Sequence, residues 1–457
     1  PEAEQEVITT LIPKEDGGLR PIALFRTAYR VYAKYRSGEV KTWAKHHSGY
    51  QCNTAQGRCV GDSTWRAQVM TATDGQQVYS VEALKDVRKA FEHVRRDQLL
   101  DMGVKTGYPL PQLIMSLRSY QWNRRIHYEG IVSEVIKPKR GIAAGSAFAT
   151  FELWCLLKPA IDQMQKLMPL LTICLHVDDL CMMAKSKDRL CTMEQIDEAL
   201  EMAEEEFVVK RGLPFAKEKT FIVSSHFDLA TKVARKSPGA TADISVRRLG
   251  VDYCLGTKWT RASSKLKVHK SRMLKAKHRV ARLKRMIPGG SARRFTSGIR
   301  PQALYGAEHF EVSDRDIEVC MRQAASCSNV HAMGVGASLK LLAQSTEVNP
   351  GFVARSAPVL RWAREVWLST SSCPLRNEDV LDGKQLHDAA MVIVRAQGGQ
   401  SGDRIMQGPV RAIVASLKYF GWKMVDAHSL VNEDGMSMDL TVGSPAMLKH
   451  YLVLAQD

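Results

Sequence analysis

The chain has 457 residues, and 45% of them are hydrophobic, which is enough for two to four globular domains. Its formal net charge of +17 at pH 7 points to a polyanionic partner. Ten cysteines without a CxxC pair argue against a disulfide framework or a structural zinc site and favour a reducing compartment. No apolar run approaches the roughly 18 residues of a membrane span.

The first residues, Pro-Glu-Ala-Glu-Gln-Glu, do not resemble a signal peptide. We therefore expect an intracellular protein of the nucleus or cytoplasm that has no contact with a membrane. The chain does not begin with Met, so we also expect it to be a piece of a longer protein.

The N-terminal part is predicted to contain two short strands and then alternating helices and strands. Residues 7–24 read as a strand, a turn and a second strand, residues 27–43 as a helix, and residues 49–61 as polar loops. A strand over residues 78–87 contains Asp86 at its end, and a helix over residues 89–102 follows. Strand ends are where α/β folds place chemistry, so Asp86 is a candidate site residue.

Residues 171–183 set two adjacent carboxylates, Asp178 and Asp179, between two apolar runs with the length and content of β-strands. A small-residue loop at residues 141–146 and an apolar helix to residue 157 precede this segment. The two runs predict a hairpin whose tip carries both carboxylates. Two negative charges at such a short distance need water, a proton or a cation to neutralise them. Asp is also common in turns for reasons unrelated to metal binding. From this segment alone, a metal site and an ordinary turn are therefore both possible interpretations.

Two more helices follow, of opposite charge. Residues 188–212 form an acidic amphipathic helix whose charges we interpret as a solvated face. Residues 258–300 contain fifteen Lys or Arg and no Asp or Glu, and they include a helix that Pro288 ends. A helix of a single charge sign repels itself unless a polyanion is near, so it is predicted to bind nucleic acid. The binding residues would be Lys275, Lys277, Arg279, Arg282, Lys284 and Arg285.

Asp86 and the Asp178-Asp179 pair thus lie at two predicted strand ends, with a glycine-containing loop and a helix between them. Nucleotidyl transfer uses carboxylates from two strands to hold two Mg²⁺ ions roughly 4 Å apart. Mg²⁺ keeps water and phosphate among its ligands, so two or three carboxylates suffice. The sequence therefore predicts a metal site formed by Asp86, Asp178 and Asp179, with Mg²⁺ or Mn²⁺ as the cofactor.

These motifs resemble those of reverse transcriptases in order and spacing. Asp86-Val-Arg-Lys-Ala-Phe-Glu is similar to their first catalytic motif, Asp-x-x-x-Ala-Phe-Asp, and His176-Val-Asp-Asp to their third, aromatic-x-Asp-Asp. Arg140-Gly-Ile-Ala-Ala-Gly-Ser resembles the second motif. Gly212-Leu-Pro-Phe-Ala-Lys-Glu-Lys-Thr and Arg248-Leu-Gly-Val resemble the fourth and fifth.

Two further matches are similar to reverse transcriptases of non-long-terminal-repeat retroelements and mobile introns. Leu11-Ile-Pro-Lys with Arg20-Pro-Ile resembles their fingers motif, and Tyr305-Gly-Ala-Glu resembles a signature of their thumb. The resemblance extends from residue 7 to about residue 310.

The resemblance implies an α+β right-hand polymerase with fingers, a palm with an antiparallel sheet and a helical thumb, followed by a mainly helical C-terminal region. Fingers and palm would cover residues 1–256, a basic thumb residues 257–345, and a C-terminal region of unknown role residues 346–457. The implied activity is that of a retrotransposon RNA-directed DNA polymerase, which adds deoxynucleotides to a primer 3′-hydroxyl. Its partners would be an RNA template, a DNA primer and deoxynucleoside triphosphates.

The resemblance also implies roles for single residues. Asp86 and Asp178 would bind the metals with support from Asp179, and Lys219 would act as a proton donor near the leaving pyrophosphate. The aromatic ring of Phe91 would lie under the incoming sugar and exclude a 2′-hydroxyl, although without the family Phe91 reads as a core residue and Lys219 as a surface lysine. The other nucleotide-binding residues would be Lys14, Arg20 and Gly145, of which Arg20 suits phosphate oxygens best.

Several positions depart from the family pattern. Ala144 stands where the second motif usually has Gln, Ala149-Thr150 where it has Ser-Pro, His176 where the third has Tyr or Phe, and Glu92 where the first has Asp. Two alternatives therefore stay open: a catalytically decayed nucleic-acid-binding protein with this fold, and a viral RNA-directed RNA polymerase. Such RNA polymerases favour a small or polar residue where Phe91 stands.

Overall fold

The structure is a computed structural model that describes residues 5–14, 17–47, 59–74, 78–255, 266–287, 291–328, 334–342, 346, 349–370, 380–398 and 408–455. Most of the predicted loop at residues 49–61, the basic positions at 256–265 and the predicted helix end at 288–290 lie outside the described residues. Within them the strands are β1 (Glu6–Pro13), β2 (Leu19–Leu24), β3 (Tyr79–Asp86), β4 (Asn123–Tyr128), β5 (Ile131–Val132), β6 (Thr172–His176), β7 (Asp179–Ser186), β8 (Phe221–Ser224), β9 (Thr241–Ala242), β10 (Val246–Arg248), β11 (Val251–Tyr253), β12 (Trp422–Met424), β13 (Ser429–Asn432) and β14 (Ser437–Asp439).

The α-helices of the same residues are α1 (Thr27–His47), α2 (Asp62–Ala72), α3 (Ala90–His93), α4 (Arg96–Thr106), α5 (Leu110–Ser119), α6 (Ala149–Leu167), α7 (Arg189–Ala203), α8 (Phe227–Lys236), α9 (Lys267–Met286), α10 (Ser291–Arg294), α11 (Arg300–Ala303), α12 (Asp314–Cys327), α13 (Ala337–Leu342), α14 (Pro350–Ser369), α15 (Gly383–Gln397), α16 (Pro409–Tyr419) and α17 (Pro445–Leu454). π-Helical turns continue α7 over Glu204–Val209 and precede α11 over Phe295–Ile299.

A five-stranded sheet with the order β6-β7-β3-β8-β9 carries the candidate site. Strands β6 and β7 form the predicted antiparallel hairpin, in which His176 pairs with Asp179. Six of the eight residues of β3 are buried, because both faces of this strand are covered. A second sheet, of order β2-β1-β4-β5, contains the two predicted N-terminal strands, which pair antiparallel.

The predicted helix over residues 89–102 is in fact two helices, α3 and α4, with Val94 and Arg95 extended between them. Helix α3 follows Lys89, whose φ of +47° lies in the left-handed region. The break turns α4 away from the line of α3, and it places the backbone carbonyl of Val94 where the amide of Gly141 donates to it at 2.9 Å. Sequence periodicity missed this break because the apolar spacing continues through it.

The described residues form two compact units. The first contains residues 1–60, 81–222 and 228–242, and the second contains residues 61–80, 223–227 and 243–457. Helix α2 therefore belongs to the second unit, together with the helices of the C-terminal region. The three-part division into residues 1–256, 257–345 and 346–457 stays a prediction.

A buried core in the second unit joins α2 to the C-terminal helices. Trp65 of α2 lies against Trp362 of α14, with ring centroids 6.3 Å apart, and both side chains are fully buried. The same core includes Trp422 and Leu430 of a three-stranded sheet, β12-β13-β14, that the sequence did not predict. These strands have three or four residues each, which is too short for an alternating pattern to stand out.

The same part of the second unit contains buried ion pairs between α2 and α14. Fully buried Glu365 accepts hydrogen bonds from Nε of Arg66 at 2.6 Å and from Nη1 of Arg361 at 2.7 Å. Arg361 also pairs with buried Asp62 at 3.0 Å. Burial alone would raise the pKa of Glu365, but the charges of Arg361 and Arg66 outweigh burial and lower the pKa to about 2. We call Asp62, Arg66, Arg361 and Glu365 the buried ion-pair network.

None of the helices in the described part of the chain combines the length and apolar character needed to cross a membrane.

Candidate active site

The end of β3 and the tip of the β6–β7 hairpin meet in the first unit. The backbone amide of Val87, directly after Asp86, donates a hydrogen bond of 2.9 Å to the carbonyl oxygen of Asp178. The carboxylates of Asp86 and Asp178 thus stand on neighbouring strands, at the same edge of one sheet. This is the juxtaposition that the two strand-end aspartates predicted.

The turn that presents Asp178 has an unusual backbone. Val177, its first central residue, has a φ of +60°, which is rare for a β-branched residue and costs on the order of 1–2 kcal/mol. Asp178, its second central residue, is not among the described residues with positive φ. Positive φ at the first central residue alone is the pattern of a type II′ hairpin turn. Strain of this kind persists only where the surrounding structure fixes the turn.

Asp178 is half-buried and lies in a strongly charged environment. Burial and, after it, the negative charge of Asp86 raise the pKa of its carboxyl to about 6. The positive charges of Lys219 and Arg20 act in the opposite direction. These four side chains therefore share one electrostatic site, although they come from β2, β3, the hairpin tip and the turn after residue 216.

Lys219 makes the most direct contact within this site. Its Nζ donates a hydrogen bond of 2.7 Å to Oδ2 of Asp86. Lys219 closes a short 3₁₀ turn, Lys217–Lys219, and the amide of Ala216 just before that turn donates to the carbonyl of Asp86 at 2.8 Å. The turn is thus anchored on the end of β3, and it holds a lysine ammonium beside the Asp86 carboxylate.

Asp179, the third predicted metal ligand, begins β7 and pairs with His176 across the hairpin. Among the described residues, no three or more His, Cys, Asp or Glu side chains form a group that could hold a metal ion. The three aspartates therefore do not make a ready cluster. The charge pair of the site is Asp86 with Asp178.

The predicted nucleotide-binding residues lie on three segments of the first unit. Arg20 is exposed on β2, and Lys14 is exposed just after β1. Phe91 is half-buried on α3, and its carbonyl accepts a hydrogen bond from the amide of Ile142 at 2.8 Å. Gly145 has a φ of +113°, and a Cβ there would lie 2.3 Å from the carbonyl oxygen of Ala23. The loop at residues 141–146 thus lies between α3 and β2.

Sequence reasoning missed Arg96, which holds the start of this loop. Its guanidinium donates to the carbonyls of Gly141 at 2.9 Å, of Tyr120 at 2.8 Å, and of Pro138 and Arg140 at 3.2 Å each. The five donors of an arginine make it suited to gather several carbonyls. No sequence signal marks this role, because all four partners are backbone atoms.

The basic helix lies in the second unit as α9. Its predicted apolar seam is buried at Met273, Ala276 and Val280 and half-buried at Leu283. Arg279 donates a hydrogen bond to Gln302, and Lys275 is half-buried. Exposed basic side chains cover the outer face, at Lys277, Arg279, Arg282, Lys284 and Arg285. The described part of the helix thus presents the one-sign charged face that the sequence predicted.

A family model described as "Reverse transcriptase (RNA-dependent DNA polymerase)" matches residues 12–254, which is more than half of the chain. The chain belongs to the reverse transcriptase family. The matched residues contain both strand ends with Asp86 and Asp178, the loop with Gly145 and the turn with Lys219, whereas α9 lies beyond them. The α+β polymerase fold expected from the sequence is confirmed.

Solved telomerase structures are similar to this reverse transcriptase chain at low identity. Apo telomerase from Candida tropicalis is 12% identical, with a TM-score of 0.40, and covers 75% of this chain and 59% of its own. Telomerase from Candida albicans with the TWJ fragment of telomeric RNA is 11% identical, with a TM-score of 0.43, and covers 87% of this chain and 65% of its own. The chain thus spans less than two thirds of the length of these telomerases. A comparison with curated protein sequences found no match.

Proposed function

We propose that the chain is an RNA-directed DNA polymerase of a non-long-terminal-repeat retroelement. The observation that carries the proposal is the meeting of Asp86 and Asp178 at one sheet edge, within the residues that match the family. The retroelement type is supported by Leu11-Ile-Pro-Lys with Arg20-Pro-Ile and by Tyr305-Gly-Ala-Glu. An enzyme with these substrates would work in the nucleus or cytoplasm.

The donor set at the sheet edge fits divalent cations. Two carboxylates stand at one sheet edge in a half-buried setting, where burial and the charge of Asp86 raise the pKa of Asp178, so a cation there would relieve the repulsion. An ammonium group already neutralises Asp86 from 2.7 Å away. Hard carboxylate oxygens are the ligands that Mg²⁺ prefers. Asp86 and Asp178 would therefore hold Mg²⁺, or Mn²⁺ in its place, with Asp179 as support.

Bound Mg²⁺ supplies activation of the primer hydroxyl and neutralisation of the leaving phosphate. The chain's own residues do the rest. The Lys219 ammonium lies beside Asp86 at the end of β3, and from there it would protonate a leaving pyrophosphate. The Arg20 guanidinium lies within electrostatic reach of Asp178 and can bind triphosphate oxygens in pairs. Lys14, near the start of β2, would add a second positive charge.

Sugar and primer-template binding would fall to other segments. Phe91 would select deoxynucleotides through its ring, next to the loop that carries Gly145. The exposed basic face of α9 would bind the phosphate backbone of an RNA template paired with a DNA primer. Such binding is independent of sequence and sensitive to salt.

The decisive experiment is extension of a DNA primer on an RNA template with Mg²⁺, comparing the wild type with Asp86→Asn and Asp178→Asn. Each variant should lose extension by on the order of a hundred- to a thousandfold, since it removes a carboxylate from the charge pair. Asp101→Asn is the matched control, because Asp101 is exposed on α4 and outside the site. Extension that Asp178→Asn leaves unchanged would refute the assignment.

Other results of the same assay favour the alternatives. Tight binding of primer-template without extension by the wild type would support a nucleic-acid-binding protein with this fold. Faster incorporation of ribonucleotides than of deoxynucleotides would support an RNA polymerase.

A further inference from the structure

The basic helix α9 has no capping group of its own at its N-terminus. The residue before it, Leu266, provides no side-chain cap, and the first turn contains no Asp or Glu. The amides of a first turn need acceptors, and their partial positive charge favours an anion beside them. Buried Asp252 of β11 supplies both: its Oδ1 accepts from the amide of Val268 at 3.0 Å and its Oδ2 from the amide of His269 at 3.0 Å. Strand β11 therefore caps the helix.

Tyr305 connects the same helix to the turn between β10 and β11. Its hydroxyl donates a hydrogen bond of 3.3 Å to the carbonyl of Leu249 in that turn. Its ring lies against the guanidinium of Arg272, whose Cζ is 4.3 Å from the ring centroid, and its carbonyl accepts from Nη1 of Arg272 at 3.3 Å. A cation and an aromatic face attract one another. One tyrosine therefore contacts both the hairpin turn and the second turn of α9.

Two glycines allow this close approach. Gly250, in the hairpin turn, has a φ of +83°, and a Cβ there would lie 2.7 Å from Nη2 of Arg272. Gly306 has a φ of +87°, and a Cβ there would lie 2.6 Å from Cγ1 of Val251 on β11. A larger residue at either position would be strained and would push these segments apart. The first two residues of the Tyr305-Gly-Ala-Glu motif thus serve the same contact with the hairpin.

We infer that Tyr305 and Asp252 are positioning residues, which hold α9 on the hairpin β10–β11 so that its basic face contacts several phosphates of a primer-template at once. This inference rests on the proposed binding of nucleic acid by α9. A helix attached at two points of its first two turns cannot pivot on the hairpin. A helix free to pivot would keep its charges and would contact fewer phosphates at a time.

The salt dependence of binding tests the role of Tyr305, because the slope of log affinity against log salt counts phosphate contacts. The full chain is compared with Tyr305→Phe, which removes the hydroxyl, and Tyr305→Leu, which also removes the ring. Fluorescence anisotropy of a labelled RNA–DNA duplex measures the slope. Although neither change removes a charge, Tyr305→Leu should lower the slope by roughly 1 to 2, the equivalent of one or two lost contacts. Tyr305→Phe should lower it less.

Tyr419→Leu is the matched control. Tyr419 is a similarly exposed tyrosine of the second unit, and Cζ of Arg355 lies 3.9 Å from its ring centroid. This variant should keep the wild-type slope. A merely structural role of Tyr305 would lower the amount of folded protein and leave the slope of the folded fraction unchanged. An unchanged slope in Tyr305→Leu therefore overturns the inference for Tyr305.

Asp252→Asn tests the cap through the sign of its effect. Asn offers one acceptor oxygen in place of two, and its amide nitrogen would face a backbone amide. Loss of a negative charge by itself would strengthen binding to a polyanion. We expect binding to weaken instead, by roughly three- to tenfold, the equivalent of one lost hydrogen bond. Asp388→Asn, at an exposed position of α15, is the control. Equal or tighter binding in Asp252→Asn would overturn its role as a positioning residue.

Hydrogen exchange of the full chain without nucleic acid separates the attachment of α9 from its proposed binding role. Asp252→Asn should speed exchange of the amides of residues 268–269, and Tyr305→Leu that of residues 249–252, by roughly three- to tenfold. A wild type that does not bind the duplex refutes the proposed role of α9, whereas faster exchange in the variants still supports the attachment. Unchanged exchange in both variants overturns the attachment, whatever the binding result.

Discussion

Lys219 and Asp86 form an ion pair of 2.7 Å between residues that lie 133 positions apart in the chain. The ammonium group occupies Oδ2 of a carboxylate that we propose as a metal ligand. Binding of a cation at Asp86 would therefore compete with Lys219, and release of Lys219 toward the leaving group would accompany metal binding.

Replacing this lysine should strengthen metal binding. We expect Lys219→Met to bind Mn²⁺ roughly three- to tenfold more tightly than the wild type, as loss of a partly exposed ion pair predicts. Titration with Mn²⁺ followed by electron paramagnetic resonance measures this. Lys217→Met, two residues earlier on the same exposed turn, is the control. Affinity that is equal or weaker in Lys219→Met would contradict the competition.

The raised pKa of Asp178 makes stability depend on pH in a definite direction. Its pKa in the folded chain is about 6, above the ordinary 3.8, so the folded state binds this proton more tightly than the unfolded state. The stabilisation is fully present below about pH 4 and is lost as the pH rises through 6. At pH 7 without metal, Asp178→Asn should therefore be more stable than the wild type by roughly 1–2 kcal/mol.

Urea denaturation between pH 4 and pH 8 tests this prediction, with Asp101→Asn as the exposed control. The stability difference between wild type and Asp178→Asn should appear between pH 4 and pH 7. Mg²⁺ should stabilise the wild type and leave the variant unchanged. A difference that is constant over this pH range would rule out the titration of Asp178 as its source.

Phe91 should control selection of the sugar. If its ring lies under the incoming nucleotide, Phe91→Ala opens space for a 2′-hydroxyl and should raise ribonucleotide incorporation relative to deoxynucleotide by about tenfold or more. Single-nucleotide extension with each substrate measures the ratio. Phe227→Ala, at an exposed phenylalanine that begins α8, is a suitable control. The same ratio in Phe91→Ala and wild type would remove Phe91 from this role.

The basic face of α9 predicts steep dependence of nucleic-acid affinity on salt. Replacing Lys277, Arg282 and Lys284 with Gln should weaken binding at low salt and lower the slope of log affinity against log salt by roughly 2 to 3, since each lost phosphate contact removes about 0.9. Fluorescence anisotropy of a labelled duplex measures the slope. The control replaces three exposed lysines on other helices, Lys41, Lys232 and Lys418. Equal slopes for the two triple variants would contradict this face as the binding surface.

The buried ion-pair network should contribute strongly to stability of the second unit. Glu365→Gln leaves the Arg66 guanidinium without its carboxylate and leaves Arg361 with Asp62 alone, which costs about 3–5 kcal/mol at neutral pH. Because the folded pKa of Glu365 is depressed to about 2, its contribution is present above the ordinary 4.5 and is lost as the pH falls from there toward 2. Denaturation at pH 7 compares this variant with Glu318→Gln, which removes an exposed pair with Arg322. Similar losses in the two variants would contradict the role of burial.

The hairpin with Asp178 and the strand end with Asp86 could be predicted from the sequence, because alternating and continuous apolar runs record which residues are buried. The apolar seam of α9 was predictable for the same reason. Each of these patterns is local, so its residues carry the signal together.

Contacts between distant segments left no such signal. The local pattern near Lys219 does not indicate that its turn reaches Asp86, and only the resemblance of residues 212–220 to the fourth motif placed Lys219 in the site. Nothing near Arg96 indicates four carbonyl partners. The sequence places helix α2 in the predicted fingers and palm, yet its residues Trp65 and Val69 pack in one core with Trp362 and other residues of the C-terminal region. Val177 is a poor turn residue by propensity, and the turn is held by the hydrogen bond from Val87 to Asp178 and by the pairing of His176 with Asp179.

The pairing of Arg66 with Glu365 has a consequence for how the chain is made. A ribosome releases α2 almost 300 residues before it releases α14, since the two partners lie 299 positions apart. Until then Trp65 and Arg66 have none of the core contacts described above, and transiently exposed apolar surface of this kind is prone to aggregation. Proteolysis that removed the C-terminal region would return α2 to that state. A cleavage near the C-terminus would therefore destabilise a helix near the N-terminus.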